Sequence, residues 1–194
     1  MDSVMLTALV ILLVIQLVVL FVLLSFGITL FFGSPWVPTH PSRAKRMFAF
    51  AALQPGETVL DLGSGDGAIL ICAIEDFGAR HAFGYEINPV LIAMARVRAK
   101  LRGIRDRVTT IRANIFTDKI IHADVITTFL MPSTMKRILP RLAALPQETR
   151  IVSRGFQIPG VAATKKQEGP EEWLYLYTAG DLAGSVGLEA KDGV

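Results

Sequence analysis

Apolar positions fall into one long block, followed by a repeating alternation of short apolar runs and amphipathic segments. Val4 to Phe32 is 29 residues without a charged side chain, interrupted only by Thr7, Gln16, Ser25, Gly27 and Thr29. As a helix it would be about 43 Å long, more than the ~30 Å hydrocarbon core of a bilayer. It therefore predicts a retained N-terminal transmembrane helix that crosses with some tilt. A cleavable signal peptide has a basic start and a shorter apolar region. Met1-Asp2-Ser3 and the length of the run argue against one.

Beyond that block, short apolar runs predict strands at 58–62, 81–86, 107–112, 123–128, 149–156 and 172–178. The segments between them predict helices at 42–53, 66–77, 89–101 and 133–145, with Pro140 bending or shortening the last. Pro55-Gly56 and Gly78 stop helices, and Asn88 followed by Pro89 starts one. Pro159, Gly160, Gly169 and Pro170 disfavour a helix before the final strand. The fifth and last strands are therefore expected to pair as antiparallel neighbours. The rhythm predicts an α/β architecture: a Rossmann-like, doubly wound, mostly parallel sheet. The expected organisation is an anchor over 1–33, a linker over 34–41, one domain over 42–179 and a frayed tail over 180–194.

Charge adds orientation. No Lys or Arg precedes Arg43, and the 194-residue chain carries a formal +3. Arg43, Lys45 and Arg46 follow the apolar block, so the positive-inside rule places the domain on the cytoplasmic side. Trp36 suits either the headgroup level or packing on the domain. A net charge this small gives no case for nucleic acid, and none is expected as a partner. Arg96, Arg98, Lys100, Arg102, Arg105 and Arg107 form a basic run. Such a run either lies toward anionic lipid or, more commonly, is a solvated helix face. Cys72 is the single cysteine and reads as a small buried apolar residue. His40, His81 and His122 are scattered, so no metal site is expected.

The chemistry concentrates at Val59-Leu-Asp-Leu-Gly-Ser-Gly-Asp-Gly67, a short strand running into a glycine turn. Gly84-Tyr-Glu-Ile-Asn88 then ends the next strand on Glu86, 23 residues after Gly63. Glycines admit a ligand close to backbone, and an acid at the next strand end suits two ribose hydroxyls. Gly63-x-Gly65-x-x-Ala68 also fits the dinucleotide pattern. Asp61 favours a different nucleoside. Its carboxylate would repel a diphosphate but would suit the ammonium of S-adenosylmethionine (SAM), and Asp66 adds a second acid at the turn. The dinucleotide reading also lacks a Tyr-x-x-x-Lys, since no Lys lies four residues after Tyr85, Tyr175 or Tyr177.

With these pieces the chain resembles the seven-strand (class I) SAM-dependent methyltransferases. More narrowly it resembles a group of membrane-anchored protein lysine methyltransferases. Mitochondrial members of that group modify the adenine nucleotide translocase and the ATP synthase c subunit, and the group has archaeal relatives. The matching pieces are Pro35-Trp-Val-Pro-Thr39, Val59–Gly67, Gly84–Pro89, Phe129-Leu-Met-Pro132, Val152-Ser153 and Ile158-Pro159. The resemblance implies a SAM site made by Asp61, Gly63, Ser64, Gly65, Asp66, Gly67, Glu86, Ile87, Asn114 and Thr39. Within it, Glu86 takes the ribose hydroxyls, Asn114 meets the adenine edge, and Pro38 and Thr39 close over the methionine end. Phe129, Leu130 and Pro132 would border an acceptor channel without a dedicated base. The implied substrate is a membrane-associated protein with a lysine near the headgroups, in the mitochondrial inner membrane if the cell is eukaryotic. A lipid or small apolar acceptor, and a tethered SAM-binding module without activity, are the rival readings.

Overall fold

The structure is a computed structural model, and it describes residues 3–31, 37–169 and 173–189. The apolar block forms helix α1 (Ser3–Phe31), and the stretch Ser3–Leu24 is long and apolar enough to cross a membrane. None of that stretch is buried against protein. Residues 32–36, including Trp36, lie outside the described residues.

Helix α2 (Pro41–Phe50) starts one residue earlier than expected, because His40 caps it and Pro41 occupies its first turn. The units β1 (Thr58–Leu62), α3 (Ala68–Glu75), β2 (His81–Glu86), α4 (Pro89–Leu101) and β3 (Val108–Arg112) follow. After them come β4 (Val125–Thr128), α5 (Pro132–Ala143) and β5 (Arg150–Arg154). The chain ends with β6 (Lys165–Gln167), β7 (Leu174–Thr178) and α6 (Ala179–Glu189). The sheet order is β3-β2-β1-β4-β5-β7-β6. The first five strands run parallel, and β7 pairs antiparallel with both β5 and β6. The antiparallel neighbours expected from the sequence are therefore present.

Three differences have physical reasons. Strand β6, Lys165-Lys-Gln167, is short, fully exposed and polar, so it shows no apolar alternation. Lysines on an outer strand discourage pairing with other chains. Where fraying from Gly180 is expected, α6 forms. Asp181 accepts from the Thr178 backbone N–H at 2.8 Å and from the Thr178 hydroxyl at 2.8 Å, and Leu182 is buried. Gly180, Gly184 and Gly187 hide this helix from propensity reasoning. Helix α5 continues through Pro140, which is exposed, and ends at Ala143.

Apolar layers lie on both faces of the sheet. One packs Met47, Phe48, Leu70 and Ile74 of α2 and α3 against Val59, Val125 and Val152. The other packs Met135, Ile138, Leu142 and Leu182 of α5 and α6 against Leu60, Ile126 and Ile151. At the amino ends of the strands, Asp124 accepts from the backbone N–H and hydroxyl of Thr58 at 2.7 and 2.6 Å, fixing β4 beside β1. Function is thereby left to the carboxyl ends, where parallel α/β sheets bind ligands.

Candidate active site

A cavity opens over the carboxyl ends of β1, β2 and β4. Its walls include Val37, Thr39, Asp61, Gly63, Ser64, Gly65, Asp66, Glu86, Ile87, Asn114, Phe129 and Leu130. The structure thus brings together most of the residues singled out in the sequence. Gly67 and Pro132 are not among the walls. Gly67 is the N-cap of α3 at φ 79°, and a Cβ there would lie 2.8 Å from the Ala95 Cβ. Its place is the α3–α4 contact. Pro132 is the first residue of α5. Pro38 is exposed, while Val37 and Thr39 on either side of it face the cavity.

The turn after β1 is built to let backbone approach a ligand. Gly63 and Gly65 have φ of 91° and 53°, which side chains resist. The N–H groups of Gly63 and Ser64 both donate to Tyr85 O at 2.9 Å, so the turn is stitched to β2. Gly84 permits this approach, because a Cβ there would lie 2.5 Å from Ser64 Oγ. That role of Gly84 is not legible from spacing alone.

Glu86 is buried and accepts three backbone bonds: from Gly65 N at 2.9 Å, Ile87 N at 2.8 Å and Asn88 N at 2.8 Å. A carboxylate offers about four lone-pair sites, so one remains on Oε2, the oxygen bonded once. Glu86 both locks the glycine turn and keeps an acceptor for a hydroxyl donor.

Asp61 is 2% exposed and accepts from the Thr127 hydroxyl at 2.8 Å. Burial pushes its carboxyl up to about 7. The Thr127 bond works against the rise and the Glu86 charge adds to it. A buried carboxyl lining a cavity, held part-protonated for want of a positive partner, fits a cationic ligand group. Asp66 behaves differently. Its carboxylate is paired with Arg98, whose guanidinium also donates to Asp66 O at 3.1 Å. Its charge is thus neutralised locally, and the discrimination against phosphate rests on Asp61.

Asn114 lines the cavity, but its Oδ1 accepts from Phe116 N at 2.9 Å and its own N–H donates to Asp118 at 2.7 Å. It shapes the turn beside Ile115 and Phe116, which also line the cavity. The Arg137 guanidinium covers the other side of Phe116 at 3.9 Å from the ring centre. Tyr85 holds this loop through Lys119 O at 2.7 Å and Ile121 N at 3.1 Å. Sequence reasoning passed over Tyr85 and the apolar walls Ile69, Leu91 and Ala113. Their apolar alternation marks them only as core.

At the other end, Phe129 stacks on Phe156 with centroids 6.3 Å apart, and the Arg154 guanidinium lies 4.4 Å from its ring centre. Gly155, at φ 79°, has no room for a side chain, since a Cβ would meet Phe129 Cε2 at 2.9 Å. The end of β5 therefore clamps Phe129. The basic run is largely exposed, but several of its residues also bond within the domain. Arg96 donates to the Thr110 hydroxyl and carbonyl at 2.9 Å, Arg102 pairs with Glu75 at 2.7 Å, and Arg107 donates to Ala79 O at 2.5 Å.

Five parallel strands, a reversed β7 and a nucleoside cavity with an acidic β2 end define a class I SAM-dependent methyltransferase. The ANTKMT methyltransferase domain model matches residues 61–165, and the chain belongs to that family. A protein-lysine N-methyltransferase of Saccharolobus islandicus (strain REY15A) is 34% identical over 152 residues, 76% of this chain and 94% of that one. The adenine nucleotide translocase lysine N-methyltransferase of Mus musculus is 30% identical over 161 residues, covering 81% and 69% of the two chains. A crystal structure of an RNA methyltransferase from Salinibacter ruber, in complex with S-adenosyl-L-homocysteine, is 33% identical with a TM-score of 0.70. That match covers 74% of this chain and 94% of that one.

Proposed function

We propose that this protein is a membrane-anchored methyltransferase that uses SAM to methylate lysine side chains of a membrane-associated protein. The observation that carries the reading is the path of the chain. A helix with a stretch of membrane-spanning length ends at Phe31, six residues before Val37, and Val37 and Thr39 are walls of the cavity. SAM supplies an activated methyl group. The protein's own task is to hold nucleoside and acceptor in line. Asp61 faces the ammonium, Glu86 takes a ribose hydroxyl, and Ile87, Ile115 and Phe116 sandwich the base. Thr39 closes the methionine end.

A lysine acceptor must arrive neutral, and near its reference pKa of about 10.4 only roughly one in 2,500 is neutral at pH 7. Phe129 and Leu130 give it a dry approach that disfavours the charged form. The Arg154 guanidinium behind Phe129 adds positive charge to the same side. No dedicated base is required. The domain lies on the cytoplasmic side, with Arg43, Lys45 and Arg46 following the span.

The test is incubation of the full chain with methyl-labelled SAM and membranes. Label on protein lysine supports the reading. Label in the lipid fraction points instead to a lipid acceptor, and label lost on ribonuclease treatment to an RNA acceptor like that of the Salinibacter protein. Cofactor binding with no label transferred to any fraction identifies a SAM-binding module.

A further inference from the structure

We infer that the mouth of the cavity rests on the membrane surface, so that the acceptor channel opens at headgroup level. The inference deepens the anchored-enzyme reading and rests on α1 as the anchor. Across the carboxyl edge of the sheet the chain leaves β1 at Gly63, β4 at Phe129 and β5 at Gly155, and enters β7 from Trp173. Strands lie about 4.8 Å apart, so the row from β1 to β7 spans roughly 14 Å.

Exposed apolar side chains border this row. Val37, in the cavity wall, is 45% exposed. Met131, beside Leu130, is 44% exposed, and Trp173 is 52% exposed. Single exposed apolar residues are ordinary. Here Val37 is in the cavity wall, Met131 follows the wall residue Leu130, and Trp173 precedes β7 next to the end of β5. Trp173 is tied to the channel itself: its carbonyl accepts from Gly155 N at 2.7 Å, and Gly155 packs on Phe129.

The tether sets the distance to lipid. From Phe31 at the end of α1 to Val37 in the cavity wall is six residues, which reach no more than about 20 Å. The membrane-length stretch ends at Leu24, and the seven helical residues on to Phe31 add about 10 Å, so the opening stays within about 30 Å of the end of the span. Indole favours the headgroup level, and Lys136, exposed about one and a half turns after Met131, offers charge to anionic lipid. A rival surface exists on α4, where Met94, Val97 and Leu101 are 40%, 56% and 82% exposed. Helix α4 touches α1 and reaches the cavity wall through Leu91, whereas Trp173 is hydrogen-bonded to the Gly155 that packs on Phe129.

The chain contains two tryptophans, so W36F leaves Trp173 as the sole emitter. The full-length variant is reconstituted into vesicles of phosphatidylcholine and phosphatidylglycerol, with or without brominated acyl chains. The expected result is loss of Trp173 emission in brominated vesicles. The difference between wild type and W173F gives the same reading should W36F fold poorly. Unquenched emission from protein that resists carbonate extraction overturns this inference and leaves the anchor standing. Extraction by carbonate overturns both. Quenching of V97W, in a chain lacking both native tryptophans, while Trp173 stays bright assigns the contact to α4 and also overturns it.

Discussion

Replacing Asp61 by Asn separates what this carboxyl costs the free fold from what it gives the ligand. Burial raises it from 3.8 to about 7. At about 1.4 kcal/mol per pH unit, ionising it inside the free domain costs at most about 4 kcal/mol. The sign follows from proton counts. Between pH 4 and 7 the unfolded chain has released this proton and the folded one retains it, so stability falls as pH rises and levels off above about 7. Asn carries no charge at any pH and still receives the Thr127 hydroxyl bond on its oxygen. Asp61→Asn should therefore match wild type near pH 4 and exceed it by up to about 4 kcal/mol at pH 8. At roughly 2–4 °C per kcal/mol for a chain of this size, that is a rise in Tm of several degrees, read by melting the free protein at several pH values.

Ligand binding must move the opposite way. An ammonium beside Asp61 stabilises the ionised form, so wild-type affinity for SAM should rise with pH and level off above about 7. Below that point it falls up to tenfold per pH unit, because binding releases a proton. Asp61→Asn should lose affinity for SAM and S-adenosylhomocysteine and abolish the pH dependence. Affinity for methylthioadenosine, which keeps the nucleoside and lacks the ammonium, should change little. Calorimetry in buffers of different ionisation enthalpy counts the released proton. A variant no more stable than wild type at pH 8, or one that keeps its SAM affinity, refutes the assignment of Asp61 to the ammonium.

Glu86→Gln leaves the amide nitrogen facing backbone donors, so nucleoside affinity should fall at least about tenfold, the equivalent of one buried charged hydrogen bond, by calorimetry. Phe129→Ala should cut turnover more than it changes the SAM Kd, because the ring borders the acceptor and not the nucleoside; the reverse split would remove Phe129 from the channel. Gly155→Ala brings a Cβ to 2.9 Å from the ring it must clear, at φ 79°, so it should shift Phe129 and lower kcat with the SAM Kd preserved. Gly67→Ala pushes on Ala95 at 2.8 Å and should lower stability by about 1–3 kcal/mol, measured by denaturant unfolding, through the α3–α4 contact.

The succession of strands and the gathering of Asp61, Gly63, Gly65 and Glu86 at one cavity were legible because each depends on local grammar. A parallel strand buried on both faces reads as an apolar run, and a turn needing positive φ at Gly63 and Gly65 reads as glycine. Glu86 was legible because an acid must stand at that strand end. What it does without ligand, accepting three backbone donors, was not, because those donors come from Gly65 and the start of α4. The missed elements failed for opposite reasons. Strand β6 is too polar to announce itself, and α6 is built on glycines that its Asp181 cap and buried Leu182 outweigh.

The basic run is a largely exposed face, as a solvated helix face would be, that also bonds within the domain. Arg96, Arg102 and Arg107 remain exposed, and together with Arg98 each also reaches a partner elsewhere in the domain. Arg98 removes Asp66 from the electrostatic argument and, through Asp66 O, pins the turn that carries Gly65. Both acids line the cavity, but one is paired with a guanidinium and the other is left without a counter-charge. Among the described residues Asp61 has only a hydroxyl for a side-chain partner, and burial, with the Glu86 charge adding to it, holds its proton on. A site that keeps one carboxyl without a counter-charge while compensating its neighbour is arranged for a ligand bearing a single positive group at that point, which a diphosphate cannot supply.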